Sequence, residues 1–311
     1  MPEASTAVFT HRLVSGNDLG EGAPDAATRI VALGDALIAC GLDNVLVLDR
    51  DAEPASREDL LRAHDAAYLD SLERLTFTPG AAPVALTTDT FVGPESVEAA
   101  YLSAGTVIRA TQAVFDARVK NAFCAVRPPG HHAGRSRAKG FCLINSVAVG
   151  VLYAIEVLGL TRVAVVDFDA HHGDGTEEIL AENPCVRLFS SYEEDLLGAT
   201  SQAASNVHKL ALLPGTTGEE LVDRVRVAWV DEIRRFAPEM IFVSAGFDAH
   251  KEDAMSNLSF AERDYARLSR MVVELADEIC QGKIVSVLEG GYRPDALARC
   301  ALAHLRALAH L

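Results

Sequence analysis

Residues 163–176 read Val-Ala-Val-Val-Asp-Phe-Asp-Ala-His-His-Gly-Asp-Gly-Thr, an apolar β-branched run that passes directly into three aspartates and two histidines. The run predicts a buried strand. Buried carboxylates, however, are tolerated only when they are paired, hydrogen-bonded or bound to a cation. Alternate residues of a strand share a face, so Asp167, Asp169 and His171 can converge on one point. The chain must therefore bury this strand while opening its carboxyl end to a metal ion or a proton network.

Six further strand-like runs occupy residues 45–48, 122–126, 186–191, 207–212, 240–244 and 284–288. Most are continuously apolar, as strands covered on both faces are. Helical periodicity fills 25–40, 94–117, 145–158, 218–236, 261–280 and 294–311. This alternation predicts an α/β fold with a mostly parallel sheet flanked by helices. Ligands then sit beyond the carboxyl ends of the strands. No repeat or linker divides the 311 residues, so one domain over 1–311 is expected.

Net charge is −16, which argues against direct nucleic-acid binding and suits a cationic substrate or simply a soluble surface. No apolar stretch has the length of a membrane span, and residues 1–16 lack the form of a signal peptide, so a cytoplasmic protein is expected. Six scattered cysteines with no Cys-x-x-Cys pair read as reduced core residues, not a thiolate zinc site. A homo-oligomer is left open.

Three more polar clusters follow strand-like runs. Val243-Ser-Ala-Gly-Phe-Asp-Ala-His250 supplies Asp248, a third candidate ligand beside Asp169 and His171. An Asp/His/Asp set leaves coordination positions for water and substrate, as a catalytic metal site requires. Val126-Arg-Pro-Pro-Gly-His-His-Ala133 offers tandem imidazoles suited to acid–base work, with Asp167 and Asp174 available to orient them. Leu288-Glu-Gly-Gly-Tyr292 presents a phenol that can donate to an oxyanion. Taken singly, Asp248 reads as a turn or helix-capping aspartate and Glu-Gly-Gly-Tyr as a turn.

In this order the clusters, together with Gly140-Phe-Cys-Leu-Ile-Asn, resemble the zinc-dependent histone deacetylase superfamily, in its class II and bacterial branch that includes acetylpolyamine amidohydrolases. The resemblance spans roughly residues 89–292. It implies an arginase/deacetylase fold of about eight strands, with Zn2+, or Fe2+ in the cell, on Asp169, His171 and Asp248. His131 would pair with Asp167 and His132 with Asp174, while Tyr292 polarises the scissile carbonyl. Gly140, Phe141, Leu197, Gly290 and Gly291 would line the acyl channel, and Asp89 would hold substrate at its rim. A structural K+ would lie on Asp167, Asp169, His171, Ser190 and Ser191. The implied reaction is hydrolysis of N-acyl-lysine in proteins or peptides; the alternative is an acetylpolyamine or another small N-acyl amine.

Three departures stand out. Leu197 falls where the family has a second channel aromatic, with Tyr192 at an earlier histidine position. Gly20-Glu-Gly-Ala-Pro-Asp25 replaces the usual Gly-His-Pro-Glu loop. Arg135, Arg137 and Lys139 make the loop after the tandem histidines basic, which reads first as a solvated loop and second as a contact for an acidic substrate group. His172 receives no role. A dimanganese arginase-type hydrolase would need an Asp-x-Asp pair where Ser244-Ala-Gly-Phe-Asp248 offers one carboxylate, and a non-catalytic binder would not require both dyads and the tyrosine.

Overall fold

A computed structural model describes residues 5–16, 19–20, 22–78, 82–194, 196 and 204–311. Its strands are β1 (Thr6–Phe9), β2 (Val47–Asp49), β3 (Val84–Ala85), β4 (Phe91–Val92), β5 (Asn121–Cys124), β6 (Val163–Asp167), β7 (Val186–Glu193), β8 (Val207–Leu212), β9 (Met240–Ala245) and β10 (Ile284–Leu288). Eight of them form one sheet in the order β2-β1-β5-β10-β9-β6-β7-β8, and every neighbouring pair in it is parallel. β3 and β4 form a small antiparallel hairpin. The helices are α1 (Thr28–Ala39), α2 (Arg57–Ala63), α3 (Ala66–Glu73), α4 (Ser96–Phe115), α5 (Ser146–Glu156), α6 (Asp174–Leu180), α7 (Gly218–Ala228), α8 (Val230–Phe236), α9 (Glu262–Cys280) and α10 (Pro294–Leu308).

β6 sits deep in the sheet between β9 and β7, and all five of its residues are buried. Its alternation sorts the core. Val163 and Val165 face a cluster with α2–α6, whereas Ala164 and Val166 face one with α1 and α7–α10. Both faces are covered, so the strand must be apolar throughout until it leaves the sheet at Asp167. The carboxyl ends of β5, β10, β9 and β6 are consecutive along one sheet edge, which brings the four polar clusters together.

Several elements differ from the sequence expectation. The helix expected over 218–236 breaks at Trp229 into α7 and α8, because the indole turns inward (2% exposed) against Phe189. α7 itself opens with a capping box between Thr217 and Glu220. β1, α2, α3 and α6 add to the expected set. α6 begins within the motif segment at Asp174, where an acidic first turn favours a helix N-terminus. No described helix is long and apolar enough to cross a membrane.

Candidate active site

Asp169 and His171 follow β6, and Asp248 follows β9, its neighbour in the sheet. One ligand atom from each lies within 4.8 Å of the others, and all three residues are buried. His171 Nδ1 is 3.0 Å from both Asp169 Oδ1 and Asp248 Oδ2. Backbone amides hold the outer oxygens: Gly290 N donates to Asp169 Oδ2 at 2.9 Å and Ala170 N to Asp248 Oδ1 at 2.9 Å. A Cβ on Gly246 would fall 1.9 Å from Asp169 Oδ2, and one on Gly290 2.4 Å from Asp248 Oδ2, so the backbone closes around the carboxylates only because these residues are glycine.

Two carboxylates buried side by side repel. Burial and the Asp169 charge push Asp248 up to about 6. Burial opposes ionisation of Asp169 as well, but the His131 and His171 rings outweigh it and hold Asp169 well below the ordinary range. Against the penalty of its own burial, the two carboxylates push His171 up to about 10. Such a cluster of negative oxygens around one imidazole suits a divalent cation of the zinc type. The residues fit the group that the sequence implies.

The tandem histidines follow β5 and face this cluster. His131 Nδ1 is 3.0 Å from Asp167 Oδ2, and His132 Nδ1 is 2.7 Å from Asp174 Oδ1. The two rings have opposite surroundings. Burial disfavours charge on His131, yet Asp169, Asp167 and Glu289 together hold its pKa well above the usual value. His132 is pushed down to about 4 by burial and then by the charge on His131. The same geometry thus biases the two imidazoles in opposite directions, His131 toward its charged form and His132 toward its neutral form.

Tyr292, just beyond β10, lies edge-on to Phe141 with ring centroids 5.4 Å apart. Burial, with Asp248 and Asp169 nearby, raises its phenol well above 10 against the opposing charge of Arg29, which keeps it a hydrogen-bond donor. Gly140 and Phe141 both adopt positive φ, 56° and 67°, and Phe141 lines a cavity with Asp89. Thr90 Oγ1 accepts from Phe141 N at 3.1 Å and donates to Asp89 Oδ1 at 2.8 Å, tying the 140–141 turn to Asp89. The cavity measures about 530 Å³ and is walled by Leu19, Pro24, Phe91, Phe141 and Asp89. Gly290 packs on the Asp169 and Asp248 carboxylates and Gly291 on Leu297 and Phe247; Leu197 lies outside the described residues.

Sequence reasoning missed several supporting groups. Glu289, read only as part of a turn, is fully buried and accepts from Gly130 N at 2.7 Å and His131 N at 3.1 Å. Arg29 lies over the Tyr292 ring, 4.8 Å from its centroid, donates to Gly291 O at 2.6 Å and pairs with buried Asp25. An arginine inside an apolar helix face was the available signal. His172, which received no role, is fully buried between Ser190 Oγ (2.8 Å) and Glu177 Oε2 (2.5 Å), with Tyr192 packed on its ring. Asp167 and Ser190 are direct partners across β6 and β7, which places a carboxylate beside a hydroxyl. The basic loop is exposed at Arg135 and Arg137, as a solvated loop would be, but its side chains also reach back to the protein. Lys139 and Arg137 turn inward onto Asp174, and Arg135 Nη2 donates to Ile179 O at 2.8 Å.

A family profile described as "Histone deacetylase domain" matches residues 23–308. The "Histone deacetylase-like amidohydrolase" of Pseudomonas aeruginosa is 33% identical over 294 residues, covering 92% of this chain and 76% of that protein. The "Probable deacetylase" of Archaeoglobus fulgidus is 35% identical over 246 residues, covering 76% and 67%. The "Type-2 histone deacetylase 2" of Dictyostelium discoideum is 37% identical over 244 residues, and there the match spans only 14% of the longer relative. Among solved structures, "Crystal Structure of HDA15 HD domain" superposes with a TM-score of 0.88 at 28% identity, covering 99% of this chain and 89% of that one. The parallel sheet, the four clusters at its carboxyl edge and these matches lead to one conclusion: the chain belongs to the histone deacetylase family of amide-hydrolysing enzymes.

Proposed function

We propose that residues 1–311 act as one metal-dependent deacylase that hydrolyses the side-chain amide of N-acyl-lysine in peptides or proteins and, from acetyl-lysine, releases acetate. The observation that carries this reading is the convergence of Asp169, His171 and Asp248 with two orienting dyads on one strand edge. Asp169, His171 and Asp248 would hold zinc or ferrous iron, which when bound supplies an acidified water and polarises the acyl oxygen. His132, neutral and oriented by Asp174, takes the proton of the attacking water at Nε2 and returns it to the leaving amine. His131, oriented by Asp167, stays charged beside the developing anion. Tyr292 donates its phenolic proton in a hydrogen bond to the oxyanion, an interaction whose loss typically costs about 3–4 kcal/mol.

Phe141 walls the lysine stem, with Gly140, Gly290 and Gly291 giving the channel its narrow backbone; Leu197 would shape its far wall. Asp89, held below the ordinary carboxylate range because the Thr87 and Thr90 hydroxyls outweigh its partial burial, accepts from substrate N–H groups at the rim. A structural K+ on the hard oxygens around Asp167, Asp169, His171, Ser190 and Ser191 suits the Asp167–Ser190 juxtaposition. All six cysteines are free, in keeping with a reducing compartment such as the cytoplasm.

Leu19, Pro24, Phe91 and Phe141 at the mouth favour a peptide flanking the acyl-lysine, although Asp89 beside them could pair with one ammonium group of a polyamine. The net charge of −16 also favours the polyamine alternative. Side-by-side kcat/KM values for an acetyl-lysine peptide and N-acetylputrescine decide between them. The peptide is expected to be the better substrate, and a polyamine preference of about 100-fold, some 2.7 kcal/mol, would overturn that assignment.

A further inference from the structure

Asp174 carries more partners than orienting one histidine requires. Its Oδ1 faces His132 Nδ1 at 2.7 Å, while its Oδ2 receives Lys139 Nζ at 2.6 Å and Arg137 Nη2 at 3.2 Å. The aspartate side chain is 5% exposed and that of Lys139 25%, so the ion pair is largely shielded from water. Arg137 is more open and is also paired with Glu178. The other dyad is built the opposite way, because Asp167 and His131 are surrounded by the further carboxylates Asp169 and Glu289. Lys139 also closes a tight turn with Cys142, its N donating to Cys142 O at 3.2 Å and its O accepting from Cys142 N at 2.9 Å. Within that turn lie Gly140 and Phe141. One lysine thus ties the turn to the second dyad.

We propose that Lys139, seconded by Arg137, is a positioning residue for the reaction: by anchoring the outer oxygen of Asp174 it fixes the inner oxygen on His132 Nδ1, so that Nε2 points at the reacting water. This inference rests on the deacylase reading above. A buried carboxylate released on one side leaves part of its charge uncompensated and free to turn toward other donors, and charge-assisted hydrogen bonds are the ones strong enough to prevent this. Neither cation needs to touch substrate, and the turn with Cys142 is held by backbone groups that a side-chain substitution leaves in place, so the loss is expected in kcat and not in KM.

The test compares wild type, Lys139→Met, Lys139→Arg and Arg135→Gln by steady-state kinetics on an acetyl-lysine peptide and by proton NMR of the His132 Nδ1–H. Arg135 serves as the control because its guanidinium bonds Ile179 O, away from Asp174. Lys139→Met should lower kcat about tenfold with KM unchanged and shift or broaden the Nδ1–H resonance. Lys139→Arg should recover most of both, and Arg135→Gln should match wild type. Wild-type kcat and an unaltered resonance in Lys139→Met would overturn the proposal. Equal losses in Lys139→Met and Lys139→Arg, accompanied by a lower Tm, would also overturn it by showing a packing role. If the wild type turns over no acyl-lysine, the deacylase reading fails, and the resonance alone still decides whether Lys139 positions His132.

Discussion

One methyl group at position 246 would push against Asp169 in the proposed metal site. A Cβ there would sit 1.9 Å from Asp169 Oδ2, and the carboxylate has nowhere to retreat because Gly290 N holds the same oxygen. Gly246→Ala is therefore expected to weaken metal binding about 10–100-fold, the usual scale for disturbing groups that orient ligands. Metal analysis of the dialysed variant checks this, and full retention of metal would show that the cluster tolerates displacement of Asp169. At this scale the convergence of Asp169, His171 and Asp248 was legible in the sequence because aspartate and histidine at the end of an apolar strand have few other uses. Gly246, Glu289 and Arg29 were not. Their roles consist of distances to residues far along the chain, and each has an ordinary local reading as a turn glycine, a turn acid or a helix arginine.

The strand–loop segment that carries the ligands is anchored by Phe168. Its ring packs against Phe247 (6.1 Å), Tyr265 (6.1 Å) and His304 (5.9 Å), on the face opposite the metal cluster, and is 1% exposed. Phe168→Ala should cost about 3–5 kcal/mol, read as a shift of the urea midpoint; a change below about 1 kcal/mol would mean that the segment is anchored elsewhere. Element by element, the long apolar strands and the long amphipathic helices could be read directly, because burial on two faces or one leaves a strong periodic signal. The short elements could not. β1 is four residues long, α2 and α3 are charged and short, and α6 grows out of the motif itself. The break at Trp229 is a tertiary effect, since a large side chain must point inward against Phe189.

Across the whole molecule the interior holds neutral histidines that serve packing and not chemistry. Burial pushes His304, bonded to Ser269 and Ser286, down to about 3. His11 and His64 are pushed down to about 4 in the same way. The unfolded chain protonates a histidine near pH ~6.5. The stability contributed by a neutral buried histidine is therefore complete above that pH and drains away as pH falls toward the folded value. His304→Gln should make the fall in unfolding free energy below pH ~6.5 shallower by about 1.4 kcal/mol per pH unit. Parallel curves for wild type and variant would show that His304 is protonated equally in both states.

The proposed function requires a single metal ion on Asp169, His171 and Asp248 to make this fold an amide hydrolase. Metal-free protein titrated with zinc or ferrous iron, and assayed at each addition on an acetyl-lysine peptide, tests it most directly. Negligible turnover is expected without metal, followed by a linear rise that ends at one ion per chain. Full activity in the metal-free protein, or a rise that continues to two ions per chain, would contradict it.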